Sequence, residues 1–234
     1  MPKTVLITGG VSGIGREISK FFHDKGWLVT AQFHSSRDQA KSLKGNNLTT
    51  VQADLSSPSG CNQLIETYLE DFDNLNLLVN NAAIYRETAS SDTPVNDWNE
   101  QMNLNARAPY QLSRRCAEDL LEKGSTIINL TDCSTDHPYP DHIPYFASKA
   151  ALENITRSLA RRLAPDVRVN AVAPGPIDFP SDYDEAERRS ILDRTPLNRT
   201  GSSREVARTV HFLATGATYT TGSIIEVDGG KHIT

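Results

Sequence analysis

The chain has 234 residues, enough for one α/β domain around a single core and too few for two full ones. Its formal charge of −5 excludes the basic face that nucleic acid needs, and no apolar run approaches the ~20 residues of a membrane span. The opening MPKTVLITGG lacks a signal-peptide layout, and Cys61, Cys116 and Cys133 lack disulfide or metal spacing, so a cytoplasmic protein with a small-molecule partner and no metal is expected.

Short β-rich runs alternate with longer helical patterns. Strands are expected over 4–8, 27–33, 48–54, 75–81, 125–131, 167–173 and 223–228. Their near-continuous apolar character suits strands buried on both faces. Helical periodicity fills 13–25, 37–43, 57–72, 95–122, 144–163 and 203–214, with Pro144 suited to a first helical turn. The alternation predicts right-handed crossovers and therefore an α/β fold. We expect a single domain over 1–234: a Rossmann-type doubly wound parallel sheet of about seven strands with helices on both faces. Residues 174–200, rich in Pro, Asp, Glu and Arg, break the rhythm and are expected to form a substrate loop over the active site, about 175–200.

The first strand-to-helix junction, TGGVSGIG, carries the first chemistry. Gly9, Gly13 and Gly15 allow a tight turn and the approach of a pyrophosphate to the helix N-terminus, flanked by Ser12 and Ile14. After the second strand come His34, Ser35, Ser36 and Arg37, with no acid before Asp38 to hold a ribose 2′-hydroxyl. Hydroxyls and a guanidinium suit a 2′-phosphate, so NADPH is favoured, with NADH left open. Ser12 stands where many NADP-binding proteins of this kind carry a basic residue.

The ordered set TGGVSGIG, Asp54 of ADL, NNAA, Asn105 of MNLNARAPYQL, YFASK, NAVAPGPI and TGSIIEVDGG resembles the short-chain dehydrogenase/reductase family over the whole chain. The resemblance implies that Asp54 and Leu55 lie by the adenine. It implies that Asn81, Ala82 and Ala83 border the cofactor, and that Pro174, Gly175 and Ile177 lie near the nicotinamide. Asn105 would hold a water in a proton relay, and the helices 95–122 and 144–163 would pair subunits into a homotetramer. The residues of YFASK agree on chemical grounds. Tyr145 and Lys149 are four apart and share a helix face. A free phenol has a pKa of ~10, and a neighbouring ammonium is expected to lower it and make proton exchange possible near neutrality. The same lysine would hold the nicotinamide ribose.

Thirteen positions before Tyr145, where the family usually has serine, stands Asp132. Ser134 or Thr131 could supply the hydroxyl through a small loop shift. The sharper reading is a resemblance to the pteridine reductase group of the family, dihydromonapterin reductases included, which are similar in carrying Asp there. Reducing a C=N bond of a pterin requires a proton on ring nitrogen. A carboxylic acid kept neutral by partial burial can give one and orient the ring. Tyr85, just after NNAA, is then the expected stacking partner, and Phe179 replaces the threonine many relatives place beside the carboxamide. The expected activity is NAD(P)H-dependent reduction of a dihydropterin-like substrate. Two alternatives stand beside it: a carbonyl reductase or alcohol dehydrogenase of the same family, and a catalytically silent cofactor-binding regulator.

Overall fold

The computed structural model describes residues 2–88, 94–179 and 183–234. Its strands are β1 (Thr4–Ile7), β2 (Leu28–Phe33), β3 (Leu48–Gln52), β4 (Leu75–Asn80), β5 (Leu121–Leu130), β6 (Arg168–Pro174) and β7 (Ile224–Val227). Between them run α1 (Gly13–Asp24), α2 (Arg37–Ser42), α3 (Pro58–Asp71), α4 (Val95–Met102), a π-helical turn (Asn103–Arg107), α5 (Ala108–Asp119), α6 (Ile143–Leu163), α7 (Glu185–Asp193) and α8 (Ser203–Thr215). The strands form one parallel sheet in the order β3-β2-β1-β4-β5-β6-β7. The expected seven-stranded, doubly wound architecture is therefore the one that forms.

Alternation along β1 shows why both faces are covered. Val5 and Ile7 pack with Ile18 and Phe22 of α1 and with Val206 and Val210 of α8. Leu6, one residue between them, points to the opposite layer, against Leu64, Ile65 and Leu112 from α3 and α5. Each such buried side chain contributes roughly 1.5–3 kcal/mol, so the two layers hold the sheet from both sides. Chain order reverses direction between β1 and β4, and a crevice opens beyond their carboxyl ends.

Two expected elements differ. The helix expected over 95–122 is interrupted by the π turn and ends at Asp119. Pro109, near the start of α5, has no N–H to give the Asn105 carbonyl, which removes one bond an α-helix would need there. The chain then turns early into β5, because Leu121 pairs with Leu75 and the Ser125 hydroxyl donates to the Leu75 carbonyl at 2.9 Å. The stretch 174–200 is not all loop. It contains α7, whose start is a capping box: Asp184 accepts from the Glu187 amide while Glu187 accepts from the Asp184 amide, both at 2.8 Å.

Candidate active site

The crevice is a groove of about 980 Å³ floored by the turn after β1. Gly9 and Gly13 adopt φ of +61° and +50°, in the left-handed region, and a Cβ on Gly15 would overlap the Gly9 carbonyl oxygen. The turn is pinned from outside. The Asn81 amide donates to the carbonyls of Thr8 (2.9 Å) and Gly9 (3.2 Å), and the Thr8 hydroxyl accepts from the Asn81 and Ala82 amides. Gln32, at the end of β2, accepts from the Gly9 amide at 2.9 Å and donates to the Ala53 carbonyl at 2.7 Å. Ser12 caps α1 by position, yet its hydroxyl makes no capping bond. That hydroxyl and the first-turn amides of α1 face the groove with the charge preference of a helix N-terminus. A dinucleotide pyrophosphate fits this cradle.

Further out, His34, Ser35, Ser36, Asp54, Leu55, Ala83 and Ile14 line the same groove. The Asp54 carboxylate accepts from the Ser56 hydroxyl (2.7 Å) and amide (2.9 Å) and is held below the usual carboxylate range, chiefly by that hydroxyl. Arg37 opens α2, next to Ser36 of the groove wall, and is exposed. Its amide donates to the Ser35 carbonyl, so the chain is already turning into the helix at that point.

Next to the groove, sharing Tyr85 with it, lies a cleft of about 490 Å³. Tyr145, 7 % exposed, donates from its phenol to Asp132 Oδ2 at 2.9 Å. Asp132 Oδ1 accepts from the Ser134 amide at 2.8 Å, and the Asp132 carbonyl accepts from the Thr135 hydroxyl, so the loop after β5 fixes the carboxylate. The hydroxyls of Thr131 and Ser134 are turned elsewhere, toward the Val172 carbonyl and Cys133 Sγ. Lys149, 3 % exposed, donates to the Leu130 carbonyl at 2.7 Å, and its ammonium lies 5.6 Å from the Tyr145 ring centre. Burial lowers Lys149 to about 8, partly offset by the Asp132 charge.

Tyr145 moves opposite to the sequence expectation. Burial pushes its phenol well above its ordinary value, and the adjacent Asp132 charge and hydrogen bond push it further. The lysine is turned to a carbonyl, and the anion is nearer the phenolic oxygen. The Tyr145 phenol and Asp132 Oδ2 share one hydrogen bond, while Asp132 Oδ1 accepts from the Ser134 amide.

Asn105 also takes a different part. Its amide donates to the Ile84 carbonyl (2.9 Å) and the Ser148 hydroxyl (3.0 Å) and accepts from the Ile84 amide (2.8 Å). Both of its side-chain donors are engaged by protein. The side chain instead ties the loop carrying Tyr85 to α6 (Ser148).

Tyr85 lines both groove and cleft. It is 54 % exposed, stands edge-on to Tyr145 with ring centres 4.7 Å apart, and stacks on His142 at 4.4 Å with the planes 14° apart. Pro174, Gly175 and Ile177 line the cleft and not the groove; a Cβ on Gly175 would come within 2.6 Å of Asp228. Phe179 packs on Tyr183 across the cleft's outer wall. Among the described residues, no group of His, Cys, Asp and Glu could hold a metal ion, and no helix is long and apolar enough to cross a membrane.

Residues 9–232 match the family model described as enoyl-(acyl carrier protein) reductase, a model of the short-chain dehydrogenases/reductases. The chain belongs to the short-chain dehydrogenase/reductase family. It is 33% identical to the dihydromonapterin reductase of Klebsiella pneumoniae over 235 residues, covering 99% of this chain and 98% of that one. It is 30% identical to the 3-oxoacyl-[acyl-carrier-protein] reductase of Staphylococcus epidermidis over 244 residues, covering all of both. Among solved structures, a blue fluorescent protein from a metagenomic library, in complex with NADPH, is similar at a TM-score of 0.91 and 30% identity, with 98% of this chain and 97% of that one covered.

As a short-chain dehydrogenase/reductase, the protein is an NAD(P)H-dependent oxidoreductase. A bound nicotinamide would supply the hydride. The short-chain reductase site brings Tyr145, Asp132 and Tyr85 to one cleft and buries Lys149 and Asn105 behind it. Four residues of this site went unnoticed in the sequence: Gln32, His142, Arg194 and Lys231. Gln32 sits buried in a mostly apolar strand, where an amide side chain is itself a signal. The other three come from segments with no regular pattern.

Proposed function

We propose that this reductase transfers hydride from NADPH to the C=N bond of a dihydropterin-type ring, with the proton supplied by the Tyr145–Asp132 pair. The observation that carries the reading is the Tyr145 phenol donating to Asp132 Oδ2 at 2.9 Å, at a position where a serine would offer no charge. A carboxylate there does two things. It keeps the phenol protonated, and its oxygens, beside Tyr85, suit the N–H edge of a flat, amidine-bearing ring. In the balanced step, hydride adds to ring carbon and the shared proton adds to ring nitrogen. The pair is then refilled from solvent through the open cleft. The full-length similarity to a dihydromonapterin reductase supports the same substrate class. NADPH is supported by the hydroxyl-rich rim at His34, Ser35 and Ser36, which has no carboxylate to repel a 2′-phosphate, and by the NADPH-bound structural neighbour.

A second reading, ketoacyl reduction, is favoured by the equally complete similarity to a 3-oxoacyl-[acyl-carrier-protein] reductase. The test is NADPH oxidation followed spectrophotometrically with 7,8-dihydromonapterin, 7,8-dihydrobiopterin, a diketone and a 3-oxoacyl thioester. A kcat/KM at least tenfold higher on the dihydropterins supports the first reading, and the reverse order replaces it with the second. Self-association belongs to the same family reading. Tyr110 of α5, 46 % exposed, borders an apolar hollow with Ile155 and Leu163 of α6. A tetrameric mass by light scattering is expected, and a monomeric mass would remove it.

A further inference from the structure

Asp132 is the one carboxylate among the described lining residues of the cleft, and it is engaged by Ser134 and Tyr145. The same lining includes two cations, Lys231 and Arg194. Several cations are paired, Arg199 with Glu205, Arg189 with Asp193 and Arg204 with Glu17. Among the described residues, neither Lys231 nor Arg194 has a carboxylate at ion-pair distance. The Lys231 ammonium lies 5.3 Å from the Tyr139 ring centre, and the Arg194 guanidinium meets only the carbonyl and hydroxyl of Ser190.

The turn that presents Lys231 is built. The Asp228 side chain, 4 % exposed, accepts from the Gly230 amide (2.9 Å), the His232 amide (2.7 Å) and His232 Nδ1 (2.7 Å). The nearest acid is thus engaged in folding the turn and does not neutralise the lysine. The turn is then fastened to the segment bearing Arg194. The Thr234 hydroxyl donates to the Arg194 carbonyl at 3.0 Å, and the Leu197 amide donates to the Gly229 carbonyl at 3.0 Å. The two cations therefore stand on one wall, held by backbone bonds.

We infer that Lys231, with Arg194 beside it, selects substrates that carry an anionic substituent, a carboxylate or a phosphate, on the side away from the bond that is reduced. The inference deepens the proposed function, since it rests on the cleft receiving the reducible ring between Tyr85 and Asp132. A half-buried ammonium aimed into a cleft costs desolvation, and a ligand anion offsets that cost with a charge-assisted bond. The rings of Tyr139, Phe179 and Tyr183 line the same cleft, and such apolar surroundings weaken screening of a charged contact.

The experiment measures kcat/KM with NADPH for three matched pairs: 6-hydroxymethyl-7,8-dihydropterin and its phosphate, 7,8-dihydropteroate and its methyl ester, and a long-chain keto acid and its methyl ester. The full chain is compared with Lys231→Met, Lys231→Arg and Arg194→Ala. Wild type is expected to favour the anionic member by about tenfold, the size of one charge-assisted contact at a half-exposed site. That ratio should fall toward one in Lys231→Met, return in Lys231→Arg, and fall partway in Arg194→Ala. The larger of the phosphate and carboxylate ratios identifies the anion. A Lys231-dependent ratio seen only in the keto pair upholds the anion claim and removes the pterin reading. A wild-type ratio near one in every pair that turns over, or a ratio unchanged in Lys231→Met, overturns the inference.

Discussion

The cofactor groove and the substrate cleft meet at Tyr85, yet they are made of different material. The groove floor is backbone: two glycines with positive φ, a glycine with no room for a Cβ, and helix amides, all pinned by Asn81, Thr8 and Gln32. The cleft is side chain, gathered from the loop after β5, the start of α6, the stretch after β6 and the turn after β7. A backbone site recognises what every dinucleotide shares, because amides and a helix N-terminus meet phosphate wherever they occur. A side-chain site can be re-specified one residue at a time, and Asp132, Phe179 and Lys231 are three such residues here.

If the two halves are separate in this sense, a change in one should leave the other's affinity intact. Tyr145→Phe gives the largest expected effect. It removes the proton donor and keeps the ring, so kcat should fall ~10²–10⁴-fold while the NADPH dissociation constant stays within about twofold. Substantial retained kcat would place the proton source elsewhere. Ser36→Asp works in the opposite half. A carboxylate at the groove rim should repel a 2′-phosphate and reduce the NADPH-over-NADH preference by about tenfold, with kcat on saturating cofactor little changed. An unchanged preference would mean that the rim does not meet the ribose phosphate.

Lys149→Met tests stability in place of rate or affinity. Burial holds the lysine at about 8, below its unfolded value near 10.5, so the folded state carries a charge that it disfavours. The difference corresponds to roughly 3 kcal/mol, from which losing the bond to the Leu130 carbonyl takes back about 1–2. The inactive variant should therefore be about 1–2 kcal/mol more stable at pH 7, a few degrees in Tm. Between about pH 8 and 10.5 the unfolded chain binds this proton and the folded one does not. Wild type then gains stability relative to the variant as pH rises through that window. Denaturant melts of both proteins at pH 7 and 10 read the difference; an equal gap at the two pH values would contradict it.

What could be read beforehand follows the same division. The glycine turn, the alternation of strands and helices and the Tyr145–Lys149 spacing are local patterns, and the geometry that they specify is local too. Asp132 could be placed because thirteen residues separate it from Tyr145 across one loop. A basic residue after β2 suits a phosphate by type, while the start of α2 decides where Arg37 stands. The direction of the Tyr145 shift depends on which charge lies nearer in space, Asp132 or Lys149, and spacing along a helix does not give that. Lys231 reaches the cleft through Asp228, Gly229 and Thr234, contacts that no periodicity announces. The capping box of α7, by contrast, was present as Asp184 and Glu187 and could have marked that helix.

The central claim is that Asp132 adapts this cleft to a ring protonated on nitrogen. Asp132→Ser tests it most directly, because serine keeps a partner for the Tyr145 phenol and removes the charge. The measurement is kcat/KM for one 7,8-dihydropterin and one diketone in wild type and variant. The expected result is a loss of ~10²–10⁴ on the dihydropterin, the size of a lost proton-transfer partner, with the diketone retained within about threefold because its proton comes from Tyr145 alone. Equal losses on the two substrates would mean that Asp132 only stands in for serine, and would contradict the account.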